Sequence, residues 1–77
     1  MKKVQTLNDL QKHPFVQGVE KEYNPNIFDG YDYTYWLYLK DDYWFKEEQI
    51  GLIHEPTIKG VIDTFNSMTI SKRTDTF

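Results

Sequence analysis

The chain has 77 residues and a mass of 9.3 kDa, with 39% hydrophobic and 17% aromatic residues, no cysteine and a net charge of −3. Disulfides, thiolate zinc sites and cysteine nucleophiles are thereby excluded, and a domain this short buries only about 60–65% of the surface its unfolded chain exposes, so most large apolar side chains must join one core. No apolar run approaches the roughly 20 residues that span a bilayer, and Met1-Lys2-Lys3-Val4-Gln5 turns polar at once, so one small domain in the cytoplasm is the expectation.

The first expected element is a helix from about Thr6 to His13. Thr6 can cap it, Asp9 stands three residues on, Leu7 and Leu10 form one apolar stripe, and Pro14 ends it by steering the preceding residue out of the α region. Val16 to Tyr23 alternates loosely and contains Gly18, which costs about 1 kcal/mol inside a helix, so a strand is expected there. Asn24-Pro25-Asn26 and Phe28-Asp29-Gly30 are turn signals.

Tyr31 to Lys40 consists almost wholly of residues that suit a pleated surface, and Asp41-Asp42 reverses the chain. Tyr43-Trp44-Phe45-Lys46 is expected to return as the partner strand. A three-residue loop, Lys40-Asp41-Asp42, sets Leu39 opposite Tyr43, Leu37 opposite Phe45 and Tyr38 opposite Trp44; a two-residue loop sets Leu39 opposite Trp44 and Tyr38 opposite Phe45. The first register is favoured, because two aspartates suit a type I′ turn poorly.

Ile58, Val61, Ile62 and Phe65 fall at helical spacing after Pro56, so a helix from about Pro56 to Met68 is expected, with Lys59, Asp63 and Asn66 on its wet side. Residues 69–77 read as a mobile tail. The expected fold is α+β: a two-layer α-β-β-β-α domain over 1–77, with a three-stranded antiparallel sheet packed against the C-terminal helix.

No catalytic or metal constellation emerges. His13 and His54 are the only histidines, Ser67 and Ser71 lack a nucleophile elbow, and four glycines stand singly without a phosphate loop. No enzyme, cofactor or metal is therefore expected. Carboxylates at Asp41, Asp42, Glu47 and Glu48 sit among lysines at the hairpin tip, where a solvated surface is their ordinary role.

Two patterns stand out. Ten aromatic residues lie between Tyr23 and Phe45. In the favoured register Trp36, Tyr38 and Trp44 share the face opposite Leu37 and Leu39, to be covered by the first helix or a second copy, or else left open as an interaction patch. The second pattern is charge: between Glu20 and Asp63 ten acidic residues face four lysines, a local net charge of −6 with slightly basic flanks. Such a surface repels phosphate backbones and steers toward basic partners, so single-stranded nucleic-acid binding ranks below protein binding. The helix-strands-helix order also looks like double-stranded-RNA-binding domains, but Glu55-Pro56-Thr57 with Lys59 alone lacks their lysine cluster.

Asp29-Gly30-Tyr31-Asp32-Tyr33, Leu37 through Phe45 and Ile53-His54-Glu55-Pro56-Thr57-Ile58-Lys59 together resemble small accessory proteins encoded by phages and mobile elements, anti-CRISPR inhibitors among them. The resemblance covers about half of the chain, includes no defining motif and transfers no residue roles. It implies a non-catalytic protein that blocks a basic, nucleic-acid-binding surface of a host protein. The expected partner-binding residues are Trp36, Tyr38 and Trp44 as anchors, with Asp41, Asp42, Glu47 and Glu48 as the acidic part; homodimerisation through the aromatic face is the alternative.

Overall fold

A computed structural model describes residues 3–73. Seven elements follow in order: α1 (Leu7–Lys12), β1 (Val16–Tyr23), β2 (Tyr33–Leu39), β3 (Tyr43–Phe45), β4 (Leu52–Glu55), α2 (Ile58–Ser67) and β5 (Ile70–Lys72). The fold is α+β, with a three-stranded antiparallel sheet in the order β1-β2-β4 and a second sheet of β3 and β5. No helix among the described residues is long and apolar enough to cross a membrane.

Helix α1 forms where the capping chemistry places it. The Thr6 hydroxyl accepts the Asp9 N–H at 3.1 Å, and the Asp9 carboxylate accepts the Gln5 N–H at 3.2 Å, so two backbone donors are satisfied reciprocally. His13 is already extended (ψ 135°), as a residue before proline must be. Thr57 caps α2 in the same way, its hydroxyl accepting the Gly60 N–H at 2.9 Å, and Pro56 lies before the cap rather than in the first turn. A Cβ on Gly60 would stand 3.1 Å from the Thr57 hydroxyl and 3.2 Å from the Glu55 Cβ, so the close approach of α2 to the end of β4 favours glycine there.

Alternation along the strands divides the sheet into two faces. Leu37, Leu39 and Ile53 point to one side and meet Leu10 of α1 and Val61 and Phe65 of α2; with Val4, Val16 and Phe45 they form the buried core. Both helices therefore cover the same face. At the other end of the β1–β2 connection, Gly30 holds a φ of +84°, which suits a residue without a Cβ.

The pairing of β2 differs from the expected hairpin. The chain does turn after β2, with the Tyr43 N–H donating to the Lys40 carbonyl at 2.9 Å, but β3 then leaves the sheet. The flank of β2 that β3 was expected to fill is taken by β4, with Ile53 opposite Leu37 and the Leu39 N–H donating to the Gly51 carbonyl at 2.8 Å. The cause is burial: Ile53 enters the core through this register, while Phe45 reaches the core from the side without pairing with β2. Strand β3 pairs instead with β5, Phe45 opposite Ile70, Trp44 opposite Ser71 and Tyr43 opposite Lys72.

Residues 70–72, expected in a mobile tail, are thus a strand, and the ladder extends on both sides through Lys46 N–H to Thr69 carbonyl and Arg73 N–H to Asp42 carbonyl, each 2.7 Å. Residues 74–77 of that expected tail lie outside the described residues. Asn66 also departs from its expected place on the wet side of α2. Its amide accepts the Val4 N–H at 3.0 Å and donates to the Val4 carbonyl at 2.7 Å, tying the N-terminal segment to the last helix. Lys59 and Asp63 do lie exposed, as an ion pair at 2.9 Å.

Candidate partner-binding face

With both helices on one side, the opposite face of the β1-β2-β4 sheet carries Gly18, Glu20 and Glu22 from β1, Thr34, Trp36 and Tyr38 from β2, and Leu52 and His54 from β4. No lysine or arginine occupies a sheet position on this face. Trp36 and Tyr38 are half-buried, whereas Glu20, Glu22 and His54 are exposed.

Trp36 is the fixed centre of the face. Its ladder neighbours are Glu20 and His54. The indole stacks on the His54 ring with centroids 4.7 Å apart and planes at 29°, and its Nε1–H donates to the Glu22 carboxylate at 3.0 Å. Phe28, from the loop between β1 and β2, lies 5.5 Å from His54 on centroids. These contacts hold the indole upright beside two carboxylates. Tyr38 stands between Gly18 and Leu52, and nothing lies within 4 Å of the place where a Gly18 Cβ would be, so the surface dips beside the phenol. A shallow groove along β1 and β2 is lined by Glu20, Lys21, Glu22, Tyr23, Trp36, Tyr38 and Leu52, so one lysine stands among its carboxylates.

Beside Trp36, the same face contains Thr34, fully buried, with a hydroxyl that has no hydrogen-bond partner. A buried hydroxyl left unpaired costs about 1–3 kcal/mol.

The sequence-expected site residues fall into two groups. Trp36 and Tyr38 share the open face. Trp44 does not join them: it belongs to the β3–β5 sheet, where its Nε1–H donates to the Ser71 hydroxyl at 3.1 Å, so the expected Tyr38–Trp44 pair is not formed. Asp41 and Asp42 are exposed in the turn before β3, with both carbonyls accepting from Arg73, and Glu47 and Glu48 are exposed in the turn after it. The Thr69 N–H held by the Glu47 carboxylate at 2.9 Å keeps that carboxyl below the usual range. These four acids flank a three-residue strand of the second sheet and not a hairpin tip of the main one. Glu20, Glu22, His54 and Phe28 complete the face and were missed; the alternation Glu20-Lys21-Glu22 in an expected strand was the available signal.

A second concavity lies between the N-terminal segment and α2, bordered by Val4, His13, Phe65 and Met68. Burial holds the His13 imidazole below its ordinary pKa, its Nδ1 accepts the Phe15 N–H at 3.1 Å, and its ring packs edge-on against Phe65. These contacts give His13 a structural role at the turn between α1 and β1. Among the described residues no group of three or more His, Asp or Glu side chains could hold a metal ion.

No family model, curated protein or solved structure matches this chain at a significant level.

The chemistry available on the open face is recognition of cations. A guanidinium or ammonium group can lie against an indole or phenol while it pairs with a carboxylate, and both groups are within a side chain's reach between Trp36 and Glu20.

Proposed function

We propose that the chain is a non-catalytic binding module whose open, acidic and aromatic sheet face docks on a basic surface of another protein. Its action is that of a phage or mobile-element inhibitor, which occupies a surface that would otherwise take nucleic acid. The observation that supports this reading most is the placement of both helices on one face, which leaves Trp36 and Tyr38 half-buried on the other beside Glu20 and Glu22. Tryptophan and tyrosine are the residues that most often dominate interface energies, and carboxylates around them select basic partners. Asp41, Asp42, Glu47 and Glu48 add long-range attraction, screened over about 8 Å at physiological salt.

Trp36 itself reports on the test. In a Trp44→Phe variant it is the only tryptophan, so its emission can be followed while an arginine- and lysine-rich peptide is added. A saturable change is expected that weakens as salt is raised and that Glu20→Lys with Glu22→Lys reduces at least tenfold. An unresponsive Trp36, or a response to a single-stranded oligonucleotide in place of the peptide, would overturn the reading.

A further inference from the structure

Strand β1 has eight residues and pairs with β2 along one side only. The phase of its hydrogen bonds follows from the Asn24 N–H that donates to the Asp32 carbonyl at 2.8 Å, one step beyond the Tyr23–Tyr33 pair. Antiparallel ladders alternate, so Glu22, Glu20 and Gly18 direct their backbone groups to β2, and Tyr23, Lys21 and Val19 direct theirs outward. Among the described residues, none of these three outward-directed groups has a backbone partner. The stretch from Val19 to Tyr23 offers about 13 Å of open edge at roughly 3.3 Å per residue.

A second copy is a poor occupant of that edge. Glu20 and Glu22 share a face, so antiparallel self-pairing centred on Glu20, Lys21 or Glu22 in every case sets glutamate opposite glutamate. Such charges are the ordinary guard of a strand edge against its own kind. The same alternation is complementary to a different strand. Residues paired with Glu20 and Glu22 point to the open face, where Trp36 neighbours Glu20. The residue between them points to the opposite face, where Lys21 is held with its Nζ 4.3 Å over the Tyr33 ring and the Tyr23 ring is 65% exposed. A cation at that position would meet Lys21, and an apolar side chain would meet tyrosine.

We infer that β1 takes up an extended segment of the partner protein as a fourth strand of the sheet, and that this segment carries lysine or arginine at alternate positions with apolar residues between them. The inference rests on the open face as the docking surface and adds the backbone register by which it selects a partner. Main-chain bonds to Val19, Lys21 and Tyr23 provide the attachment, while Glu20, Glu22 and Trp36 read the alternate side chains.

The test compares a peptide of alternating lysine and valine with a permutation that groups the same residues in blocks. The alternating peptide is expected to bind at least tenfold tighter and to slow hydrogen exchange at the Val19, Lys21 and Tyr23 amides. Lys21→Pro, which removes an outward N–H and is compatible with an edge strand, is expected to weaken binding at least tenfold, whereas Lys21→Ala, which keeps that N–H, is expected to change it less than threefold. Circular dichroism establishes that the proline variant is folded, and the exchange measurement on the unmodified chain stands without it. Equal affinity for both peptides, abolished by Trp36→Ala but indifferent to Lys21→Pro, would overturn strand addition and leave the docking face in place. Failure of both peptides to perturb Trp36 would overturn strand addition and the docking face together. Amide protection that rises with protein concentration alone would make a second copy the occupant and overturn the inference.

Discussion

Trp36 and Leu37 are neighbours in the chain and lie on opposite faces of one sheet, and the two environments separate stability from recognition. Leu37 is fully buried beneath both helices among Val61, Phe65 and Leu10, while Trp36 is half-buried, stacks on His54 and donates to Glu22. In a domain of this size one apolar face supplies most of the hydrophobic stabilisation, so an aromatic pair left on the other face contributes less to folding than its area would allow.

Leu37→Ala is the most severe way to probe the helix-covered face. It removes buried methyl groups where neighbours can relax only partly, and a loss of about 2–5 kcal/mol is expected in urea unfolding, enough to leave a small domain largely unfolded. Trp36→Ala, one residue away, should cost clearly less in the same experiment, while it abolishes binding of the basic peptide as read from amide chemical shifts. Equal destabilisation by the two substitutions would collapse the distinction between faces.

Thr34→Val comes next and has the opposite sign. The hydroxyl is buried and unpartnered, so replacement by a methyl of the same shape is expected to stabilise by about 1 kcal/mol, read as a shift of the urea midpoint at constant slope. A loss of stability would mean that the hydroxyl has a partner.

The smallest effects are in pH. Folding lowers the pKa of His13, so the folded chain binds fewer protons than the unfolded one as the pH falls through the ordinary imidazole value of 6.5, and stability should decline across that window until the lowered folded value is passed. Glu47 acts lower on the scale. Its depressed pKa, set by the Thr69 N–H, stabilises the fold above the ordinary carboxylate range and is lost on further acidification. Carbon-detected titration should place Glu47 below the ordinary glutamate range, and Glu47→Gln should flatten the acid limb of the stability curve.

Regular spacing and fold class were legible together. The period of Ile58, Val61, Ile62 and Phe65 and the cap at Thr6 are local properties, and local physics decided them, whereas α2 starts at Ile58 behind a Thr57 cap and not at the expected Pro56. Strand partnership was not local. The chain turns at Lys40–Tyr43 as expected, yet β2 pairs with a four-residue strand, Leu52–Glu55, too short to carry a pattern, and β3 finds β5 27 residues beyond Trp44. Trp44 was misplaced for that reason. Trp36 and Tyr38 were legible because alternation with Leu37 and Leu39 fixes their face whichever strand lies beside them. Glu20 and Glu22 belong to the same face only through the β1–β2 register, which no single segment discloses.

The assignment of the open face is tested most directly by mapping amide and indole chemical-shift changes as the alternating basic peptide is titrated into the unmodified chain. Changes confined to Gly18, Glu20, Glu22, Trp36, Tyr38 and His54, with the outward amides of β1, are the expected result. Changes centred on Val61 and Phe65, on Trp44 and its flanking acids alone, or nowhere, would contradict it.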